Sequence, residues 1–207
     1  MKKLASKISA MLLLICLIVS PVNVQAAKSS EGKVYKEILE KGYTVTENGN
    51  KDNRTYKYFN LLDIDRNGVK ELVVKEFEGG AWYSTDVFTI KKGKAVFCGT
   101  VIGRGQTSMT YVKKYHSLYT YGWTNGIGAA YSFLWRLNGT KIDRWKFCWA
   151  GSESMGSSKM VYKTGKNSES CKKVSKSTYN AFFKKYFKNR VDYKYVENTA
   201  ANREKLL

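Results

Sequence analysis

The sequence predicts an α+β protein, in which an antiparallel β-meander of about seven to nine short strands carries an N-terminal helix and a C-terminal amphipathic helix. Three observations predict this class. Hydrophobic residues make up 43% and aromatic residues 14% of the 207-residue chain, which is enough apolar surface for a core and excludes a disordered polyelectrolyte. Short strand-type runs separated by Gly and Asn fill the middle of the chain. Segments with helical spacing of apolar residues lie before and after them.

The first 26 residues have the organisation of a signal peptide. Lysines near the start precede an apolar run over residues 10–19, and Val-Gln-Ala at residues 24–26 fits a signal-peptidase site. This run of ten residues is too short to span a membrane, which takes ~20. We therefore expect residues 1–26 to be removed and residues 27–207 to form a single secreted domain with no transmembrane segment. An uncleaved anchor is the alternative.

The chain is strongly basic, with 36 Lys and Arg against 17 Asp and Glu and a formal net charge of +19. Three of the lysines lie in the expected signal peptide, so residues 27–207 carry +16. Because this domain is expected outside the cell, an anionic cell-wall polymer, an acidic glycan or a membrane surface is a better partner than nucleic acid, which we do not expect. A lysine-rich surface without a specific site is the plainer alternative. We expect a monomer, secreted and associated with the cell wall by charge.

Three cysteines, Cys98, Cys148 and Cys171, lie in the expected mature chain. Their odd number does not suit a disulfide framework, although one disulfide and one free thiol are open. Cys98 and Cys148 lie in apolar strand-like runs, so we expect them to be small buried hydrophobic residues.

The first predicted element is a short amphipathic helix over residues 31–41. Its apolar face consists of Val34, Tyr35, Ile38 and Leu39. Ser29 or Ser30 is the expected N-cap. The polar stretch at residues 47–53 then predicts a loop.

Nine runs are predicted as strands, and Asn138-Gly139 is the strongest hairpin signal between two of them. Alternation along the strands predicts that Trp135, Trp145 and Trp149 face the core. The runs cover residues 56–62, 69–77, 86–90, 95–100, 109–113, 117–122, 131–137, 140–149 and 159–163.

The last long element is a helix over residues 177–188, with Ser175 or Ser177 as its cap. Its aromatic residues at helical spacing predict a face packed on the sheet. They are Tyr179, Phe182, Phe183, Tyr186 and Phe187. The tail from Val196 predicts one further short polar helix.

One loop between two predicted strands has the residues of a calcium site. Short oxygen-bearing side chains alternate along it, and Gly68 permits the sharp turn that would wrap them around an ion. Calcium is a hard cation that takes six to eight oxygen ligands. Val74 stands where an EF-hand needs Glu, so the loop is not an EF-hand. The expected Ca²⁺ ligands are the side chains of Asp63, Asp65, Asn67 and Glu71 and the carbonyl of Val69.

This loop resembles the D-x-D-x-[DN]-G-x-x-[DE] calcium loops of integrin-type (FG-GAP or VCBS) repeats, over residues 56–75. The stretch Tyr-Phe-Asn-Leu-Leu-Asp at residues 58–63, followed by Glu-Leu-Val-Val at residues 71–74, is also similar to small secreted Firmicutes proteins of largely unassigned function. The resemblance implies that the same five residues hold Ca²⁺. One copy does not support a propeller, and the positive charges of Arg66 and Lys70 would weaken the site. A metal-free Asp/Asn-Gly turn is the alternative.

Enzyme signatures are absent from the sequence. A single histidine, His116, excludes H-E-x-x-H, and neither G-x-S-x-G nor a P-loop occurs. Carboxylates for glycoside cleavage exist, but the sequence does not pair them; they are Glu76, Glu78, Asp86, Asp143 and Glu153. We therefore expect a binding module without catalysis. The alternative is a secreted hydrolase acting on a glycan or on the cell wall.

Two tryptophans are candidates for a sugar-stacking surface. Trp82 and Trp123 lie beside glycines and outside the alternating strands, which favours exposure. The hypothesis is that they bind an extracellular glycan or wall polymer.

Overall fold

The computed structural model describes residues 22–47, 50–76, 83–103, 108–124 and 127–206. A helix, a five-stranded sheet, a seven-stranded sheet and a second helix are stacked in that order. Every registered strand pair is antiparallel. The predicted α+β class is therefore confirmed.

The described helices are α1 (Val22–Lys41), α2 (Lys176–Phe187) and α3 (Ala200–Leu206), with a 3-10 turn at Lys113–Tyr115. The fourteen described strands are β1 (Tyr43–Glu47), β2 (Asn50–Arg54), β3 (Tyr58–Leu62), β4 (Glu71–Lys75), β5 (Tyr83–Lys91), β6 (Lys94–Gly103), β7 (Ser108–Val112), β8 (Ser117–Thr124), β9 (Ala129–Asn138), β10 (Lys141–Ser152), β11 (Met160–Gly165), β12 (Lys172–Val174), β13 (Val191–Lys194) and β14 (Val196–Glu197). Strands β1 and β2 pair as a separate hairpin. The two large sheets have the orders β14-β3-β4-β5-β6 and β12-β11-β10-β9-β8-β7-β13.

Three apolar layers hold this stack together. The main core lies between the sheets and includes Val73, Val87, Leu118 and Phe133. The outer face of the five-stranded sheet packs on α1, and the outer face of the seven-stranded sheet packs on α2. Burying both faces of each central sheet explains why so many strand positions are apolar.

The predicted single meander of seven to nine strands is wrong in its details, because the strands divide between two sheets and five further strands are present. These are β1, β2, β12, β13 and β14. They are short strands that lie in the separate hairpin or at sheet edges. The strands β2, β12 and β14 contain few apolar residues, and the alternation in β1 and β13 extends over only four or five residues, so the sequence marks these strands weakly. The predicted loop at residues 47–53 accordingly lies mostly in β2.

The N-terminal helix is longer than predicted, since α1 begins at Val22 rather than at residue 31. Ser29 and Ser30 lie inside it, so neither is its N-cap. Residues 22–30 contain no Gly or Pro, so no residue in this stretch interrupts a helix. The predicted cleavage point after Ala26 falls within α1 and stays a prediction. Residues 1–21 lie outside the described part of the chain.

The C-terminal elements agree with the prediction. Ser175 caps α2, accepting a hydrogen bond of 3.1 Å from the Thr178 amide. Phe187 of α2 is fully buried against the seven-stranded sheet. The expected short tail helix is α3.

Strand alternation fails at Trp145. The register between β10 and β9 shifts between Arg144 and Lys146, which leaves Trp145 as the extra residue of a β-bulge. Phe147 faces the core between the sheets, whereas Trp145 packs on the side of α2. The prediction that Trp145 shares a face with Trp149 is therefore wrong.

Among the described residues, no helix is both long enough and apolar enough to cross a membrane.

Candidate metal site and neighbouring pockets

The acidic loop, residues 63–71, joins β3 to β4. Asp63, Asp65 and Glu71 each place a carboxylate oxygen within 4.8 Å of the others. Glu71 is fully buried, whereas Asn67 is exposed. The structure thus brings the three predicted acidic ligands to one point.

The loop's conformation follows from its short polar side chains. Gly68 has a φ of 90°, a left-handed conformation that favours glycine. The Gly68 amide donates to Asp63 Oδ2 at 3.1 Å, and the Val69 amide donates to Asn67 Oδ1 at 2.7 Å. The backbone amide of Asn67 donates to Asp65 Oδ1 at 3.2 Å. These are the bonds that a metal-free turn would also use.

Glu71 is the most deeply buried group of the acidic loop. The Ile64 amide donates to its Oε2 at 2.7 Å, and the Thr89 hydroxyl donates to its Oε1 at 3.0 Å. Burial raises the pKa of Glu71 to about 7, and the charges of Asp65 and Asp63 act in the same direction. The two hydrogen bonds oppose this rise in pKa without cancelling it.

One oxygen of the loop is left without a donor. Asp63 Oδ1 is buried and has no hydrogen-bond partner among the described residues. A buried carboxylate oxygen is costly unless a donor or a cation faces it. Together with the two neighbouring carboxylates, this orphaned atom fits a hard divalent cation. Arg66 directs its guanidinium to the Lys113 carbonyl at 3.2 Å.

Side chains from distant segments hold the acidic loop in place. The Tyr35 hydroxyl of α1 donates to the Lys70 carbonyl at 2.8 Å, and the Tyr111 hydroxyl of β7 donates to the Ile64 carbonyl at 2.8 Å. His116 Nδ1 lies 3.3 Å from the Asp65 carbonyl. The loop therefore touches α1 and both large sheets. Sequence spacing gave no signal for these contacts, because the partners lie 35 to 51 residues apart.

A pocket of about 330 Å³ lies beside this loop, and we refer to it as the basic pocket. Asp65 is the single carboxylate among its described lining residues, and its two cations are Lys114 and Arg136. His116 is thus not set beside a pair of carboxylates. The lining consists of Asp65, Lys114, Tyr115, His116, Arg136 and Leu137.

The structure describes one of the two tryptophans predicted to bind a ligand. Trp82 lies outside the described residues. Trp123 lies within β8, near its end, so its predicted place outside the strands is wrong, and its side chain is 39% exposed. It stacks on Tyr121 with ring centroids 6.0 Å apart, and Tyr121 stacks on Tyr119 at 6.2 Å. This aromatic row runs from beneath α2 to the surface.

Trp123 and the acidic loop form separate sites. The loop contacts His116, directly before β8, whereas Trp123 lies six residues beyond Ser117 on the same strand. At ~3.4 Å per residue this separates them by roughly 20 Å. One small ligand cannot bridge them.

A second cavity, of about 210 Å³, lies between the β1–β2 hairpin and the five-stranded sheet. It gathers Glu76 and Asp86, two of the five carboxylates considered for hydrolysis. The others do not join them: Asp143 pairs with Lys141, Glu153 pairs with Lys159 and Lys173, and Glu78 lies outside the described residues. The lining consists of Asp52, Asn53, Arg54, Tyr56, Val74, Lys75, Glu76, Ser84 and Asp86.

Asp86 belongs to a network of hydrogen bonds in this cavity. It is only 3% exposed, and its Oδ1 accepts from Arg54 Nη1 at 2.8 Å and from the Thr100 hydroxyl at 2.7 Å. Its Oδ2 accepts from the Tyr56 hydroxyl at 2.7 Å. Burial, followed by the Asp86 charge, raises the pKa of Tyr56 far above its usual value. This network joins residues 14 to 32 apart in sequence and was not predicted.

The expected burial of Cys98 and Cys148 is confirmed, and Cys171 is half-buried. All three are free thiols. Burial raises the pKa of Cys98 and that of Cys148 to about 12.

Comparison of the chain with models of known protein families, with curated proteins and with solved structures finds no match.

Proposed function

We propose that the protein is a secreted binding module of the cell envelope or extracellular space, stabilised by one calcium ion and without catalysis. The observation that carries the calcium part is the buried Asp63 oxygen without a donor, beside Asp65 and Glu71. A divalent cation would offset the repulsion among the three carboxylates and satisfy the orphaned oxygen. The residues that would hold it are Asp63, Asp65, Asn67 and Glu71, with the Val69 carbonyl.

The ion's role in this proposal is structural. The acidic loop is bonded to α1 through Tyr35 and to the seven-stranded sheet through Tyr111. Fixing the loop would therefore stabilise the stacking of these layers. Stability gained in this way is binding energy coupled to folding.

The binding surface in this proposal is the row ending at Trp123. Its exposed indole, backed by Tyr121, offers a flat apolar face suited to stacking on a sugar ring. The charge of +16 on residues 27–207 would draw anionic glycans or wall polymers towards the molecule.

The test is binding of residues 27–207 to purified cell wall and to a glycan array. Replacing Trp123 by Ala should weaken binding by about 2- to 10-fold, the range expected for losing one aromatic contact. Ile102→Ala is the matched control, because Ile102 is 44% exposed on the other sheet. No binding by the wild type contradicts the proposal, and equal losses in both variants remove Trp123 from it.

The alternative, a secreted hydrolase of glycan or cell wall, is favoured by one observation. Glu76 and Asp86 line the same cavity. Both oxygens of Asp86 are occupied by hydrogen bonds, however, which suits a structural role better than catalysis. Wall material incubated with the protein should release no soluble sugar. Release that Glu76→Gln abolishes would establish the hydrolase instead.

A further inference from the structure

The basic pocket is formed where the turn before β8 meets the end of β9. Lys114 belongs to the 3-10 turn and Arg136 to β9. The pocket's carboxylate, Asp65, accepts hydrogen bonds at both oxygens from Asn67, its neighbour within the acidic loop. With two cations against this one carboxylate, the lining of the pocket carries a net positive charge.

Arg136 is held in place before any ligand arrives. Its guanidinium carbon lies 3.9 Å from the centroid of the Trp145 ring. The Trp145 indole is fixed in turn, because its Nε1 donates to the buried Ser117 hydroxyl at 2.8 Å. An arginine that is stacked in this way loses less conformational freedom on binding than a free one, which favours affinity.

The rest of the pocket is similarly fixed. The Tyr115 hydroxyl donates to the Lys185 carbonyl of α2 at 2.9 Å, and its ring packs on Trp145 with centroids 5.8 Å apart. Lys114 Nζ lies 5.4 Å from the same tyrosine ring. Both cations thus lie next to one anchored aromatic cluster. Because the β-bulge places Trp145 on the side of α2, its ring is available for Arg136 to stack on.

We propose that the basic pocket binds the oxyanion groups, phosphate or carboxylate, of an extracellular polyanion. A guanidinium matches the two oxygens of either group, and Lys114 adds a second positive charge. This inference rests on the polyanion partner of the proposed function and assigns that partner a site, about one strand length from Trp123. The +16 charge then attracts the polymer from a distance, and the basic pocket binds its oxyanion groups.

The experiment compares two double variants that lose the same charge. Lys114→Gln with Arg136→Gln empties the basic pocket of cations. Lys166→Gln with Lys172→Gln is the control, since both lysines are exposed near the β12 edge of the seven-stranded sheet, whereas the pocket lies at the central strands β8 and β9. Binding of poly(glycerol phosphate) and of polygalacturonate is measured for each at about 0.15 M salt, where diffuse attraction is screened.

We expect the pocket variant to lose at least about 10-fold in affinity relative to the wild type, because the two cations that it lacks contact the polymer directly. The control should lose less than about 2-fold, because salt screens the attraction of exposed lysines that do not contact the polymer. Arg136→Lys keeps the charge and should still lose affinity, because Lys does not form paired contacts with an oxyanion. Equal losses in the two double variants overturn the basic pocket while leaving the proposed function intact. No binding of either polymer by the wild type overturns the basic pocket, whereas the proposed function is decided separately by the cell-wall and glycan-array assay. Tighter binding of poly(glycerol phosphate) identifies phosphate as the recognised group, and tighter binding of polygalacturonate identifies carboxylate.

Discussion

Glu71 shows at the scale of one residue how burial and neighbouring charge set the response to pH. Burial raises its pKa from 4.5 to about 7 in the metal-free fold. Between these values the folded protein holds a proton that the unfolded chain releases, so the free energy of unfolding falls as pH rises. Calcium-free protein should therefore be more resistant to urea at about pH 5 than at about pH 7.5.

Glu71→Gln is the control for this prediction, because glutamine imitates the protonated acid at every pH. The variant should lose the part of the pH dependence that belongs to this residue. Identical pH dependence in the two proteins would show that Glu71 titrates normally.

The cysteines give a second prediction at this scale. Because thiolate is the reactive form, pKa values of about 12 make Cys98 and Cys148 unreactive in the native protein. Iodoacetamide at about pH 8 should label Cys171 alone among the three, and urea should expose the other two. Mass spectrometry of the labelled peptides measures this. Rapid native labelling of Cys148 would mean that the layer beneath α2 opens readily.

Sequence spacing predicted the acidic loop because its residues are neighbours in the chain. Asp63, Asp65 and Glu71 meet as expected. The residues that position them could not be predicted in the same way, since Thr89 reaches the loop only when β5 pairs with β4, and Tyr111 only when the two sheets pack. Trp145 was assigned to the wrong face because one extra residue reverses strand alternation, and a bulge leaves no mark in the pattern.

At the scale of elements, Asn198 joins three parts of the chain. Its Nδ2 donates to the Leu39 carbonyl of α1 at 2.6 Å and to the Tyr56 carbonyl at 2.8 Å, and its Oδ1 accepts from Arg203 of α3 at 2.9 Å. Asn198→Ala leaves these partners unpaired and should cost about 1–3 kcal/mol of unfolding free energy. Urea unfolding measures the loss.

Asn202→Ala is the matched control for that prediction. Asn202 makes one exposed side-chain donation, to the Glu197 carbonyl at 2.9 Å. Asn202→Ala should therefore lower the free energy of unfolding clearly less than Asn198→Ala does. Equal costs would mean that Asn198 does not link the termini of the fold.

The start of α2 gives a second test on an element. Ser175→Ala removes the side-chain cap on the Thr178 amide and should destabilise the protein by about 1 kcal/mol. Ser177→Ala, at the exposed second residue of α2, should change stability little. Equal effects in urea unfolding would argue against the cap.

Elements with a strong apolar period were predictable, and elements without one were not. The aromatic spacing of residues 177–188 placed α2 within one residue at each end. The strands β13 and β14 are only four and two residues long, too short for a period to stand out, and each lies at the edge of a sheet where its partner strand determines the conformation. The division of one predicted meander into two sheets likewise depends on contacts between distant segments.

For the whole molecule, the acidic loop lies where α1, the five-stranded sheet and the seven-stranded sheet come together. An ion bound there would act on the packing of these layers. The effect of calcium should therefore appear in global unfolding and not only in local motion of the loop.

The most direct test of a calcium-stabilised module is thermal unfolding of residues 27–207 in EDTA and in about 10 mM Ca²⁺. With a dissociation constant of order 10⁻⁴–10⁻³ M, typical of extracellular modules, binding adds about 1.4–2.7 kcal/mol and raises Tm by roughly 3–10 °C. Asp63→Ala, which removes the orphaned oxygen, should abolish the rise. The same Tm in both buffers, or an equal rise in Asp63→Ala, would contradict the calcium site.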